Sequence, residues 1–303
     1  MRRAAALVIA ALALLGCGGS DAPESTSSEA ADAARAEEIQ DLRRQVRELQ
    51  REREPEAEAP KESTRLNLTS VTSGLDGEAA IAINSDRTGV AEAGSIGEAT
   101  AWSTIKVPIA LRVIEDAGGP GALSSSEAAL IERAVTASDN EAAAELFTGL
   151  AAQHGGAEGA ADAVTEILRR AGEDQPDVST QGRDGFSTYG QTRWSPSEQA
   201  EFMTALAGGD LGSPQAQRYV LDLMGRITSD AWGLGSLDAP AAWKSGWGPQ
   251  PDGGYLLRQM GVLEVGGDQV AVALSAAPSD GSFESGQVMM TEMASRLLAL
   301  PQK

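Results

Sequence analysis

The order of secondary-structure patterns along the chain predicts an α+β fold, in which both chain ends form one antiparallel sheet and the middle forms an all-helical lobe. Two strand-like segments come first, over 79–83 and 88–93, and turn residues separate them. Helical patterns fill the middle. Three strand-like segments and a terminal helix come last, over about 240–246, 255–265, 269–276 and 284–299. We therefore expect a two-lobed molecule with a cleft between the lobes, where ligand sites usually form.

The helical lobe is predicted from patterns that start at Ser103, Ser126 and Asn140, and from a run over 160–171. The stretch that follows, from Gly172 to Gln191, is rich in Gly, Asp and Ser and is typical of a loop. The sequence Ser195-Pro196-Ser197-Glu198 then predicts a further helix start. It combines a capping residue, a proline at the first helical position and an acidic first turn.

The N-terminal residues 1–16 resemble a signal peptide, with two arginines followed by an apolar run that is too short to span a bilayer comfortably. The run ends in Leu14-Leu15-Gly16-Cys17, which resembles the lipobox of bacterial lipoproteins. That resemblance implies that Cys17 is lipidated and that acyl chains anchor the protein to the outer face of the cytoplasmic membrane. The alternative is an ordinary signal peptide that happens to contain a cysteine.

Residues 17–64 are predicted to form a tether between this anchor and a globular domain over 65–303. Within the tether, a helix over 31–54 carries apolar residues at heptad spacing: Ile39, Leu42, Val46 and Leu49. This seam is short for a coiled coil, so weak self-association and a solvated single helix are equally compatible with it. An acidic, proline-containing linker closes the helix.

Composition excludes several classes of function. The 303-residue chain has a formal net charge of -20, which disfavours nucleic-acid binding. It contains one cysteine and one histidine, so a zinc site of His and Cys ligands is not expected. His154, the single histidine, is interpreted as a solvated residue in a loop or at a helix end. It is therefore not expected to act as a catalytic base.

Lysine is rare where arginine is common, which makes each internal lysine informative. Ser103-Thr104-Ile105-Lys106 is the only Ser-x-x-Lys in the chain, and it precedes an apolar helical pattern. A spacing of three puts hydroxyl and amine on one helix face. A lysine whose pKa is lowered by burial and a second cation can take the proton of a serine nucleophile. On its own, the motif is weak evidence, because a serine at a helix start with a lysine one turn later is usually a helix cap and a solvated charge.

Two further short motifs follow in the chain. Ser138-Asp139-Asn140 is typical of a turn and helix cap, but it could also supply a second hydroxyl and a substrate-binding amide. Lys244-Ser245-Gly246 ends a strand-like segment, and Gly246 would let a ligand approach the backbone closely.

Together and in this order, the three motifs resemble those of class A serine β-lactamases and the related penicillin-binding proteins, over roughly residues 70–300. Ser245 replaces the usual threonine and keeps the hydroxyl. The resemblance implies a class A β-lactamase-like fold in which Ser103 attacks a carbonyl, Lys106 helps to deprotonate it and Ser138 relays the proton to the leaving nitrogen.

The remaining roles are likewise implied by the resemblance. Asn140 would bind the substrate, and Asp139 would be structural. Lys244 and Ser245 would bind its carboxylate. The backbone N–H groups of Ser103 and Trp247 would hold the oxyanion, and no metal or organic cofactor would be needed.

The sequence departs from class A enzymes in two places. The stretch between Lys106 and Ser138 is shorter than usual, which trims the helical lobe. The Glu-x-x-Leu-Asn signature of the omega loop, whose glutamate activates the deacylating water, is absent from the Gly172–Gln191 stretch. The carboxylates considered as substitutes are Glu173, Asp174, Asp177 and Asp184, while Glu166 is expected to be exposed on a helix. A long-lived acyl-enzyme is the expected consequence.

Three functions remain open from the sequence. The first is a serine hydrolase acting on β-lactams or on peptidoglycan-like peptides, as D,D-peptidases do. The second is a non-hydrolysing penicillin-binding sensor lipoprotein. The third is a scaffold without activity, against which the intact motifs argue.

Overall fold

The computed structural model describes residues 67–300, apart from 86–88, 173–175, 228, 240 and 266–267. The predicted signal peptide, Cys17 and the predicted helix over 31–54 lie outside the described residues. The same holds for Glu173 and Asp174, two of the carboxylates considered for deacylation.

The main sheet has five antiparallel strands drawn from both ends of the chain, which confirms the predicted α+β fold. Its strands are β1 (Gly77–Ser85), β2 (Gly89–Gly94), β5 (Ala241–Pro249), β6 (Tyr255–Val265) and β7 (Asp268–Pro278). Their order across the sheet is β2-β1-β7-β6-β5, so the first strands pair with the last. Two short segments, β3 (Ala99–Thr100) and β4 (Arg193–Trp194), form a separate antiparallel pair. In the main sheet, β2 and β5 are the two edge strands.

The helices of the described residues are α1 (Thr69–Thr72), α2 (Lys106–Asp116), α3 (Ser125–Thr136), α4 (Asn140–Gln153), α5 (Ala157–Ala171), α6 (Pro196–Gly208), α7 (Pro214–Met224) and α8 (Phe283–Leu298). Single 3₁₀ turns lie at Trp102–Ile105, Pro120–Ala122, Tyr189–Gln191 and Gly233–Ser236. Helix α7 and the β3–β4 pair were not predicted from the sequence.

Helix starts follow the local sequence. Ser124 and Ser195 each accept a hydrogen bond from the N–H of a glutamate three residues on, and that glutamate bonds back, forming a capping box. Asp139 caps α4 by accepting from the N–H groups of Glu141 and Ala142. The cap fixes the turn that carries Ser138.

Alternation along the strands produces two cores, one on each face of the sheet. On β1, Ala82 faces the core of the helical lobe, whereas Ile81 and Ile83 face the core beneath α8. The helical lobe packs on the sheet through α6, which contacts β1, β6 and β7, whereas α8 contacts β6 and β7. The edge strand β5 contacts α7 and the Trp102–Ile105 turn, so it lies where the lobe and the sheet meet.

Among the described helices, none has both the length and the apolar character that crossing a membrane requires. Within the same residues, His, Cys, Asp and Glu side chains form no group of three or more that could hold a metal ion.

Candidate active site

Ser103 lies in a 3₁₀ turn, Trp102–Ile105, rather than in the α-helix that the sequence predicted to begin there. The α-helix begins at Lys106. The turn is held by the Ala101 N–H, which donates to the Thr192 carbonyl at 2.7 Å. Trp102 has a positive φ of 51°, a conformation that non-glycine residues rarely adopt. This backbone leaves Ser103 partly exposed at the start of α2.

Lys106 is buried, and its amine contacts the turn before α4. Its Nζ donates to the Ser138 carbonyl at 2.6 Å and to Asn140 Oδ1 at 2.7 Å. Burial, and then the charge of Lys244, lower its pKa from 10.5 to about 7. With this pKa, the Lys106 amine is partly neutral at neutral pH. The Ser103 hydroxyl has no hydrogen-bond partner within the described residues.

Lys244 approaches the same turn from the edge strand β5. Its Nζ donates to Ser138 Oγ at 2.8 Å and to the Ser245 carbonyl at 3.0 Å. Burial lowers its pKa to about 8, and the charge of Asp230 opposes that shift. Since Lys106 Nζ lies 3.5 Å from Ser138 Oγ, this hydroxyl sits between the two amines. The structure thus brings Lys106, Ser138, Asn140 and Lys244 together.

Strain in the backbone is concentrated here. Trp102, Ser138 and Asp230 are the non-glycine residues with positive φ in the described part of the chain. Trp102 precedes Ser103, Ser138 lies between the two lysine amines, and the charge of Asp230 acts on both lysines. Such strained residues cluster at functional sites. Sequence reasoning missed Asp230, for which no motif gave a signal.

Gly246 allows β5 to approach the turn that carries Ser103. A Cβ at this position would lie 2.7 Å from the Ala101 carbonyl and 2.9 Å from the Ser103 N. The sequence analysis assigned Gly246 to close approach of a ligand. In the structure, the close neighbour is the Ser103 turn itself. The backbone of the next residue, Trp247, therefore lies beside the Ser103 turn, while its exposed side chain packs against Phe283 on the other face of the strand.

The Ser245 side chain is buried and contacts the neighbouring strand β6. It is only 1% exposed, and its hydroxyl accepts a hydrogen bond from Gln259 Nε2 at 3.0 Å. Gln259 is anchored in turn, since it donates to the Trp232 carbonyl at 3.0 Å and accepts from the Leu234 N–H at 2.7 Å. Sequence reasoning missed Gln259. Its only signal was an uncharged polar residue in the predicted strand over 255–265.

The loop before β4 packs beside the Ser103 turn through Arg183. Its guanidinium lies 4.6 Å from the centroid of the Phe186 ring and 5.6 Å from that of Trp102. It donates to Gln191 Oε1 at 3.2 Å and to the Pro249 carbonyl, at the end of β5, at 2.5 Å. The loop is thereby fixed to β5. Neither Arg183 nor Phe186 was singled out from the sequence.

Three of the carboxylates considered in the sequence analysis lie among the described residues, and none of the three contacts Lys106. Asp177 is 82% exposed and pairs with Arg169, and Asp184 is exposed. Glu166 is exposed as predicted, and pairs with Arg112 at 3.5 Å. Within the residues that the structure describes, none of them hydrogen-bonds to Lys106.

The sequence analysis interpreted His154 as a solvated residue, but in the structure its side chain contacts a carboxylate. It ends α4, and its Nε2 lies 2.7 Å from Asp116 Oδ2. Asp116 is the last residue of α2, about 15 Å from Lys106 at 1.5 Å per residue. His154 therefore stabilises the far end of that helix and cannot serve Ser103 as a base.

The fold and the site together define a protein of the serine β-lactamase and penicillin-binding superfamily. The model of the beta-lactamase enzyme family matches residues 118–299. The chain belongs to that family.

Solved class A structures share the fold. The extended-spectrum β-lactamase TLA-1 superposes with a TM-score of 0.62 at 16% identity, over 77% of this chain and 97% of that one. A β-lactamase from Chitinophaga pinensis gives 0.60 at 15%, with the same two coverages. An ancestral class A β-lactamase gives 0.58 at 20%, over 77% of this chain and 99% of that one. Comparison with curated proteins by sequence gave no match.

Proposed function

We propose that the protein is a membrane-anchored serine hydrolase that forms an acyl-enzyme on Ser103 with β-lactams or related cell-wall amides. The observation that carries this proposal is the Ser138 hydroxyl, which lies 2.8 Å from Lys244 Nζ and 3.5 Å from Lys106 Nζ. A hydroxyl held between two buried amines is suited to pass a proton. Membership of the family supports the same chemistry.

Acylation follows from the protonation states of the two amines. Neutral Lys106 accepts the Ser103 proton as Oγ forms a bond to the substrate carbonyl carbon. The negative oxygen then accepts from the N–H groups of Ser103 and Trp247. When the C–N bond breaks, the nitrogen takes a proton from Ser138, which recovers one from Lys106. Protonated Lys244 orients Ser138 and offers a charge to a substrate carboxylate.

Deacylation requires a base that activates water on the ester. Lys106 is bonded to the Ser138 carbonyl and to Asn140, and no described carboxylate reaches it. We therefore expect hydrolysis of the acyl-enzyme to be slow. The same observation favours the second candidate function, a penicillin-binding sensor lipoprotein that is acylated and stops. A D,D-peptidase-like protein acting on peptidoglycan peptides would use the same acylation apparatus.

The proposed anchor is a lipid on Cys17 at the outer face of the cytoplasmic membrane, with weak self-association through 31–54. It rests on the Leu-Leu-Gly-Cys sequence and the heptad spacing. Cys17→Ala should move the protein from the membrane fraction to the soluble fraction. Retention of that variant in the membrane would contradict the lipid anchor.

The decisive experiment is an intact-mass time course of the detergent-solubilised full-length protein with excess benzylpenicillin. Ser103→Ala should remain unmodified, while Ser70→Ala, which removes an exposed hydroxyl of α1, should react like the wild type. A persistent penicilloyl adduct indicates a sensor or a slow enzyme. Steady antibiotic loss that depends on Ser103 indicates a true β-lactamase. Without an adduct and without antibiotic loss, the proposal fails.

A further inference from the structure

An arginine of the main sheet is fully buried beneath the turn that carries Ser103. Arg258 lies on β6, directly opposite Gly246 of β5, and its exposed fraction is 0%. Residues directly opposite each other in a sheet have their side chains on the same face. On this face, a Cβ on Gly246 would lie 2.9 Å from the Ser103 N. The Arg258 side chain therefore lies on the face of the sheet that contacts the Ser103 turn.

The guanidinium binds the backbone that leads into this turn. Arg258 Nη1 donates to the Ala99 carbonyl at 2.9 Å and to the Thr100 carbonyl at 3.1 Å. Thr100 precedes Ser103 by three residues. One nitrogen of Arg258 thus fixes two successive peptide groups on the N-terminal side of Ser103.

A second buried side chain reaches the turn from α6. Gln199 is fully buried, and its Nε2 donates to the Thr104 hydroxyl at 2.9 Å. That hydroxyl donates in turn to the Ala101 carbonyl at 2.6 Å. Because Ser103 lies between Ala101 and Thr104, Gln199 fixes the turn on both sides of the serine. Arg258 and Gln199 are the buried supports of the turn.

The buried supports are unfavourable for the stability of the fold. Within the described residues, Arg258 Nε, Arg258 Nη2 and Gln199 Oε1 have no hydrogen-bond partner. Burial also lowers the pKa of Arg258 from 12.5 to about 9. A buried polar group without a partner opposes folding, and a buried charge opposes it more strongly. An apolar side chain of similar size would avoid this cost. Local features that oppose stability are expected where function requires them.

We propose that Arg258 and Gln199 are positioning residues for acylation, which hold the Ser103 turn in the geometry that attack on a carbonyl requires. They act through the backbone on either side of Trp102, whose positive φ of 51° persists only if its surroundings enforce it. The proposal rests on the proposed acylation of Ser103. When the supports are lost, the turn relaxes and the Ser103 hydroxyl and N–H move away from the substrate carbonyl.

The test separates the rate of acylation from the stability of the protein. Full-length protein is mixed with increasing concentrations of benzylpenicillin, and intact mass gives the limiting rate constant, the half-saturating concentration and the final amount of adduct. Arg258→Met removes both hydrogen bonds at similar side-chain length. Its limiting rate constant should fall by about ten- to 10²-fold, as expected for a displaced nucleophile. The half-saturating concentration should stay within about twofold, because Lys244 and Asn140 are unchanged.

Two further variants and a control complete the test. Gln199→Met should lower the limiting rate constant in the same way, and Arg258→Lys should restore part of it, since an ammonium also donates to carbonyls. The control is Gln217→Met on α7. Gln217 is likewise buried, accepts from the Leu211 N–H at 3.2 Å, and has an Nε2 without a partner among the described residues. This variant may change the melting temperature and should leave the limiting rate constant unchanged.

A limiting rate constant that stays at the wild-type value in both supporting-residue variants overturns the positioning role, even if the melting temperature falls. A purely structural contact would change only the stability and the final amount of adduct. If Arg258→Met does not fold, Gln199→Met and Arg258→Lys decide between the two results. Absence of any adduct on the wild type overturns the proposed acylation itself, and the positioning role with it.

Discussion

The Lys244 amine donates to the Ser138 hydroxyl at 2.8 Å, which joins the edge strand β5 to the turn before α4 across 106 residues of chain. Each residue depends on the other. Ser138 keeps a positive φ in a turn held by the Asp139 cap, and Lys244 has this hydroxyl as its side-chain partner. The contact places the proposed proton relay at the junction of the sheet and the helical lobe.

The pH dependence of acylation should report both lysines. The rate should rise as Lys106 loses its proton around pH 7, since only the neutral amine accepts the Ser103 proton. It should fall again as Lys244, with a pKa of about 8, loses the charge that binds a carboxylate. The measurement is the second-order acylation rate between pH 5 and 10, and the maximum should lie between the two values.

Because the two amines interact, the midpoints belong to the pair. Lys106→Arg should abolish the rise near pH 7, because an arginine does not deprotonate in this range. A wild-type rate that keeps increasing to pH 10 would contradict the role given to the lowered pKa of Lys106.

Ser138→Gly and Ser138→Ala should have the same effect on activity and different effects on stability. Both remove the relay hydroxyl, so acylation should fall by about 10²-fold or more. Glycine accepts the positive φ of 54° without strain, whereas alanine does not, so the glycine variant should be about 1 kcal/mol more stable. Urea unfolding measures that difference, and equal stability of the two variants would contradict strain at this turn.

Gly246→Ala should displace the nucleophile. The added methyl would lie within 3.0 Å of the Ala101 carbonyl, the Ser103 N and the Thr104 N, all of them backbone atoms. Acylation should fall by about 10²-fold, the effect of disturbing one oxyanion donor, and the melting temperature should fall as well. Gly97→Ala is the matched control, because nothing lies within 4 Å of its Cβ position.

Arg183→Lys should release the loop from β5 while keeping the charge. A lysine can reach either the Pro249 carbonyl or Gln191. It cannot bond both and also stack on the Phe186 ring, as the planar guanidinium of Arg183 does. Hydrogen exchange should become faster over 176–191 and stay unchanged in α4. Unchanged exchange in both segments would show that other contacts hold the loop.

The fold could be predicted from the sequence because most of its strands and helices have clear local sequence patterns. The apolar run Ala79–Ile83 and the segment over 269–276 predicted strands that pair in the structure, with Ile81 opposite Leu274. Ser195-Pro196 gave the start of α6. Helix α7 was missed although Ser213 caps it and Pro214 begins it, because most of its apolar residues lie in its second half and it follows a glycine-rich stretch.

The site residues could be predicted from the sequence only where they belong to short motifs. Lys106, Ser138 and Lys244 were predicted together, and they meet. Gln259 and Arg183 were not found, because each acts through contacts with backbone carbonyls distant in sequence, such as those of Trp232 and Pro249. Backbone acceptors carry no residue signature, so a single sequence cannot reveal them.

The sheet that unites both ends of the chain also sets the moment at which the site is completed. During synthesis, Ser103, Lys106 and helices α2 to α7 are made before β5, β6 and β7 exist. Until β5 is made and pairs with β6, Lys244 cannot contact Ser138, and its charge cannot contribute to the lowered pKa of Lys106. Such long-range pairing is slow to form. The pair of amines around the Ser138 hydroxyl is therefore assembled only when the last strands have folded.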